Sequence, residues 1–246
     1  MASKMVTDRQ KSASLALAIL DAQGARLRSG LRAELGEAGA DAGLAYLSTL
    51  ASRVAEARDG MIDADEAHEA ELGDDPGARE ARDVATATLR ERLVTLREIV
   101  RGVYGPLAER ALFSGSASPD PVVLARQAGE VAARLESNPL PPPRVTGATV
   151  DAAAIVQQLR EGRDTLEAAL EVVAREAREA QVTLTAKTGA MATYDRAFTH
   201  FASSLFTAFE RADEPELAAR VRPSSRRPGR LDAEVEGPPA SPVAAL

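Results

Sequence analysis

Apolar side chains recur along most of this chain in alternating steps of three and four residues, the spacing that gathers them on one face of an α-helix. The first run is Ala13, Leu17, Leu20, Gly24, Leu27 and Leu31. It predicts a helix opening at Thr7, where Thr7 and Gln10 can form a reciprocal capping box. Gly24 on this stripe reads either as a close approach to a partner helix or as a tolerated surface glycine. LGEAGADAG should end the helix. A second run, Leu44, Leu47, Ala51 and Val54, predicts a helix from about Asp41 that stops near Gly60 or continues to Leu72. GDDPG follows, with Asp75 and Pro76 suited to a new helix start. The third run is Leu89, Leu93, Leu96, Val100, Val103 and Leu107, within which Gly105-Pro106 should kink or interrupt the helix. Asp120-Pro121 repeats the start signal before Leu124, Ala128, Val131 and Leu135.

NPLPPPRVTG, residues 138–147, is rich in proline and should run extended, as a linker between domains or a strap across one. Beyond it lies the longest stripe: Ala152, Ile155, Leu159, Gly162, Leu166, Ala169, Val173, Ala177, Ala180 and Leu184, in phase with Met191, Tyr194, Phe198, Phe201, Leu205 and Phe209. One very long helix bent near Gly189, or a hairpin of two, would satisfy it. A short turn, ELAAR, follows Pro215, and the last two dozen residues, rich in Pro, Ser and charge, should be disordered. The expected fold is all-α: an elongated bundle of five to seven helices with a disordered tail. Its organisation would be an N-terminal helical portion (1–137), a proline-rich linker or strap (138–148), a long helical segment packed on the first part (149–221) and a basic-then-acidic tail (222–246).

Composition agrees with helices and narrows the function. Hydrophobic residues make up 45 % of the 246, aromatic ones only 3 %, with no Trp, so the core is built from small aliphatics suited to closely spaced helices. No cysteine is present, which excludes disulfides, thiolate catalysis and Cys-ligated metal. A net charge of −7 gives no global attraction to nucleic acid or anionic membrane. Nearly all the positive charge is Arg, which with abundant Ala, Gly and Pro reads as the coding bias of a GC-rich bacterial genome. No apolar run approaches the roughly 20 residues of a membrane span. The acids Asp8 and Asp21 bracket the N-terminal apolar run and argue against a signal peptide, so the expected location is cytoplasmic.

Three groups of residues bear on chemistry. Asp65 and His68 stand one helical turn apart in an acidic stretch and are the weak candidates for a metal; the alternative is a solvated acidic helix end. Arg220, Arg222, Arg226, Arg227 and Arg230 place five cations in eleven residues with no acid among them, a candidate anion- or nucleic-acid-binding segment. No aromatic residue interleaves with them to stack on bases. Tyr194, Phe198, Phe201, Leu205 and Phe209 fall within about 80° on a helical wheel, with Ala202 and Phe206 beside them and His200 on the opposite, polar side. That is the pattern of a packing seam, within this chain or against another, and it leaves no ligand residue on the aromatic face. Catalytic motifs such as G-x-S-x-G, H-E-x-x-H or a phosphate-binding glycine loop do not occur. The expectation is therefore a non-enzymatic helical scaffold or adaptor without a cofactor, which meets itself or another helical protein. A nucleic-acid-associated protein using residues 220–230 is the alternative.

Overall fold

The computed structural model describes residues 3–145 and 147–232, with Asp74 and Asp75 described by their backbone alone. Among these residues every regular element is a helix: α1 (Lys4–Tyr104), α2 (Pro106–Leu112), α3 (Pro121–Ser137), α4 (Ala152–Arg211) and α5 (Pro215–Val221). The fold is all-α. The chain forms two compact units, Met1–Ala70 with Gln181–Leu246, and Glu71–Ala180. The divisions fall inside α1 and α4, and the proline-rich segment, expected as a linker between domains or a strap across one, lies within the second unit.

α1 is two arms joined at Gly36, whose φ of 73° and ψ of 175° leave the helical region. A positive φ is unstrained only without a Cβ, so glycine sets the place of the turn. The chain reverses there. Arg28 donates to Asp41 at 2.7 Å and to Glu37 at 3.2 Å across the turn. The start of the first arm meets the middle of the second where the Ser3 amide donates to Asp65 at 2.7 Å. Elsewhere LGEAGADAG stays helical, and so does GDDPG, because a proline in an exposed turn removes only one backbone bond. The cap expected at Thr7 is not used: the helix begins earlier, and the Thr7 hydroxyl donates back to the Ser3 carbonyl.

In the first unit both arms of α1 pack on the C-terminal part of α4. Tyr194, Phe198, Phe201, Leu205 and Phe209 are fully buried there, against Ala13, Ala16, Leu27, Leu31, Leu47, Leu50, Val54 and Met61. Each buried phenylalanine contributes about 2–3 kcal/mol of transfer free energy. Bulky rings on one helix need small residues opposite. That is why the first arm turns Ser12, Ala13, Ala16 and Ile19 fully inward, while the expected Leu17 and Leu20 are only half-buried.

The tail is ordered further than its composition suggests. Residues 222–232 fold back as a loop closed by a bridge between Pro223 and Leu231, and Leu231 is buried in the first core. The rest of the expected disordered tail, 233–246, lies outside the described residues.

The second unit packs the end of α1, α2, α3 and the start of α4 around Leu89, Leu93, Leu96, Val100, Leu124, Ala128, Val131, Leu135, Val156, Leu159 and Leu166. Gly105 (φ 92°) ends α1 and Pro106 starts α2, as the sequence predicts. The restart rotates the chain, so Leu107 is 72 % exposed and Tyr104, Ala108 and Leu112 turn inward instead. Asp120 caps α3 by accepting from the Val123 amide at 3.0 Å. The proline-rich segment is a strap across this unit: the Arg144 amide donates to the Val103 carbonyl at 2.8 Å, and the Tyr104 hydroxyl accepts from the Val150 amide at 3.1 Å. α4 runs unbroken from Ala152 to Arg211, through Gly189.

Candidate functional site

The sequence candidates resolve into two places. Asp65 and His68 both point into the first core rather than to solvent. Asp65 Oδ1 lies 2.6 Å from Lys187 Nζ on α4, and Oδ2 accepts from the Ser3 amide. His68 Nδ1 is hydrogen-bonded to the Thr183 hydroxyl at 2.9 Å. Burial alone would raise the Asp65 carboxyl, but the hydrogen bond from Lys187 and those from Ser3 outweigh it and hold the group below its ordinary value. A cation already occupies the place a metal would take, and the two side chains bond separate partners. The arrangement ties α4 to α1. A sequence signal for it exists: Met61, Asp65 and His68 continue the phase of Leu47, Leu50 and Val54, and Lys187 lies in phase between Leu184 and Met191.

The second place is the floor beneath the returning loop. Arg9 on α1 donates to both oxygens of Asp195, at 2.8 and 2.9 Å, and to the Met5 carbonyl at 3.2 Å. Donating to Asp195 raises the guanidinium pKa above its ordinary value against the opposing effect of burial. Tyr194 donates to the Arg9 carbonyl at 2.8 Å and to Gly229 at 3.3 Å, while its ring stacks on Phe198 with centroids 5.6 Å apart. Arg230 pairs with Asp8 at 2.8 Å, and the Leu231 amide donates to Ser12. Gly229 has φ 73°, and a Cβ there would run into Asp195 and Tyr194. Of the basic segment, Arg230 is thus held by an ion pair and Arg222 lies over the Phe206 ring at 5.1 Å. Arg220, Arg226 and Arg227 are exposed.

The second unit holds a cavity of about 230 Å³ bordered by Arg97, Arg101, Phe113, Gln127, Glu130 and Arg134. Two of its three arginines are committed through hydrogen bonds: Arg97 donates to Glu109 at 2.6 Å and to the Gly115 carbonyl, and Arg134 to the Leu112 carbonyl. Glu71, Glu176 and Glu179 bring carboxylate oxygens within 4.8 Å of one another, close enough to share a cation. Arg175 already pairs with Glu176 at 3.1 Å and Glu179 at 4.0 Å, so cationic charge is supplied by the protein itself.

The feature missed by sequence reasoning is a groove in the second unit. Toward its α1 end at residue 71, this groove is lined by residues of α1 and α4 alone. Ala85 is the first buried apolar residue of this part of α1. Gly77, Ala81, Val84, Ala85 and Thr88 of α1 and Gly162 of α4 line an open groove of about 530 Å³, and Val84 is 60 % exposed. Small residues give this span little apolar periodicity, which is why its face was not legible in the sequence.

Among the described residues no helix is long and apolar enough to cross a membrane. Compared with protein-family models, curated proteins and solved structures, the chain matches none.

Proposed function

We propose that this is a non-enzymatic helical scaffold or adaptor whose working surface receives a further helix. The observation that carries the reading is the open groove between α1 and α4 in the second unit, with Val84 exposed above small residues. A two-helix face of this kind is the geometry into which an amphipathic helix lays its apolar side. The buried polar groups support the reading from the other direction: Asp65, Lys187, Arg9, Asp195, Tyr194 and Glu109 are spent on partners within their own unit. The aromatic seam, in contrast, is buried against its own chain and offers nothing to a partner. The alternative, phosphate binding by residues 220–230, is weakened by the commitment of Arg230 and Arg222 to the fold.

Hydrogen exchange on the full chain tests the reading, alone at rising concentration and with a panel of amphipathic helical peptides of differing charge. The expected result is slowed exchange at residues 77–92 and 162–165. If neither a second copy nor any peptide slows exchange there, the reading fails. Salt-sensitive binding of duplex DNA or of RNA, lost on truncation after Val221, would favour the alternative.

A further inference from the structure

We infer that the groove of the second unit takes a basic amphipathic helix from another protein. This rests on the helix-receiving reading above and specifies its partner. The floor is apolar and shallow: Gly77, Ala81 and Ala85 present no bulk, so a partner's Leu or Ile side chains can approach the α1 backbone, while on the α4 side Gly162 is packed against Leu89 and Arg92. The α1 residues lining it run from Gly77 to Arg92, about 22 Å at 1.5 Å per residue, which matches four turns of a partner helix.

The rim decides the sign of the charge. Glu80 and Arg92 line the groove, and at 100° per residue Glu91 of α1 and Glu161, Glu176 and Glu179 of α4 fall beside the lining positions, against Arg82 and Arg175. Arg92 is turned onto the protein, donating to the Gln158 carbonyl at 3.0 Å, Arg82 pairs with Asp83, and Arg175 pairs with Glu176 and Glu179, which leaves Glu80, Glu91 and Glu161 as the acids that set the rim's charge. The surplus of carboxylates complements lysine or arginine on the flanks of a docked helix. The same surplus argues against a second copy: a two-fold contact would set these acids against their own images, in a chain of net charge −7. Nucleic acid and anionic lipid would be repelled for the same reason.

The test uses the intact chain and two synthetic peptides of about 16 residues with identical Leu/Ala apolar faces, one with Lys and one with Glu on the polar face. Fluorescence anisotropy measures their binding at low and at roughly physiological salt. The lysine peptide is expected to bind at least tenfold more tightly than the glutamate peptide, with the difference shrinking as salt rises. Val84→Arg, an exposed position whose change leaves the core intact, should weaken the lysine peptide at least tenfold; Val122→Arg, exposed on α3, should not. Equal binding of the two peptides, or binding indifferent to Val84→Arg, would overturn the charge or the site while sparing the helix-receiving reading. Dimerisation in sedimentation that Val84→Arg abolishes would make a second copy the occupant and overturn the inference. Absence of binding by either peptide in a chain that stays monomeric would overturn both.

Discussion

At the scale of single residues, the most instructive position is Asp65. It sits where the stripe of its helix calls for an apolar side chain, fully buried, and its charge is balanced by Lys187 and the Ser3 amide. Removing one member of such a pair strands the other, at a cost of about 3 kcal/mol. The acid side gives a signed prediction. The carboxyl is held below its ordinary value, so in the folded state it binds its proton less readily than in the unfolded chain. Its contribution is therefore complete above the ordinary Asp range of about 3.9 and is lost as pH falls through the lowered value. Asp65→Asn should lower the urea midpoint at pH 7 and show a shallower loss of stability between pH 5 and pH 2 than the parent. Parallel profiles for the two proteins would refute a stabilising role for the ionised form. The phase of Asp65 and His68 with their apolar neighbours was legible in the sequence, but their partners were not. Lys187 and Thr183 lie more than a hundred residues away, and a one-dimensional pattern shows which face a residue occupies without showing what is opposite.

At the scale of elements, the helices followed from periodicity and their faces did so in part, with Leu17, Leu20 and Leu107 turned away from the cores, whereas their ends depended on which weak stop signals the packing overrides. Glycine shows this best. Gly24, on the predicted stripe, has nothing within 4 Å of where a Cβ would lie, while Gly30 sits against Ala212 at the end of α4, its Cβ position 2.5 Å from the Ala212 Cβ and 2.7 Å from its carbonyl oxygen. The close helix approach that the sequence offered at Gly24 is made at Gly30, further along the same arm. Alanine is the better helix former by about 1 kcal/mol. Gly24→Ala should therefore raise the unfolding midpoint by a stability increment of about 0.5–1 kcal/mol. Gly30→Ala gains the same propensity but forces backbone apart, and overpacking of that kind costs about 1–3 kcal/mol. Chemical denaturation of the two variants should move the midpoint in opposite directions; a stabilising Gly30→Ala would mean that α1 and the end of α4 approach less closely than described. The returning loop 222–232 was illegible for a different reason: its anchors are Leu231, the Tyr194 hydroxyl and Asp8, single contacts that leave a composition otherwise typical of disorder.

At the scale of the whole molecule, composition bounded the class of function, and burial then divided the chain in a way that no linker announces. The two cores are separate sets of side chains, one built on the aromatic end of α4 and the other on Leu89–Leu166 aliphatics. α1 and α4 each contribute to both, so the proline-rich segment, the strongest punctuation in the sequence, marks a strap within one unit instead of a boundary. Helical hydrogen bonding is local, and most of a helix's stability in water comes from the face it buries. A lesion in one core should therefore loosen the helical segments that bury their faces in it. Leu124, fully buried on α3, belongs to the second core alone; Leu124→Ala should cost that unit about 3 kcal/mol. Hydrogen exchange resolved along the chain is expected to show faster opening at residues 89–137 and 152–166, with residues 4–65 and 190–211 protected as in the parent. Loss of protection in step across both sets would mean that the chain unfolds as one cooperative body, with α1 and α4 transmitting the defect along their backbones.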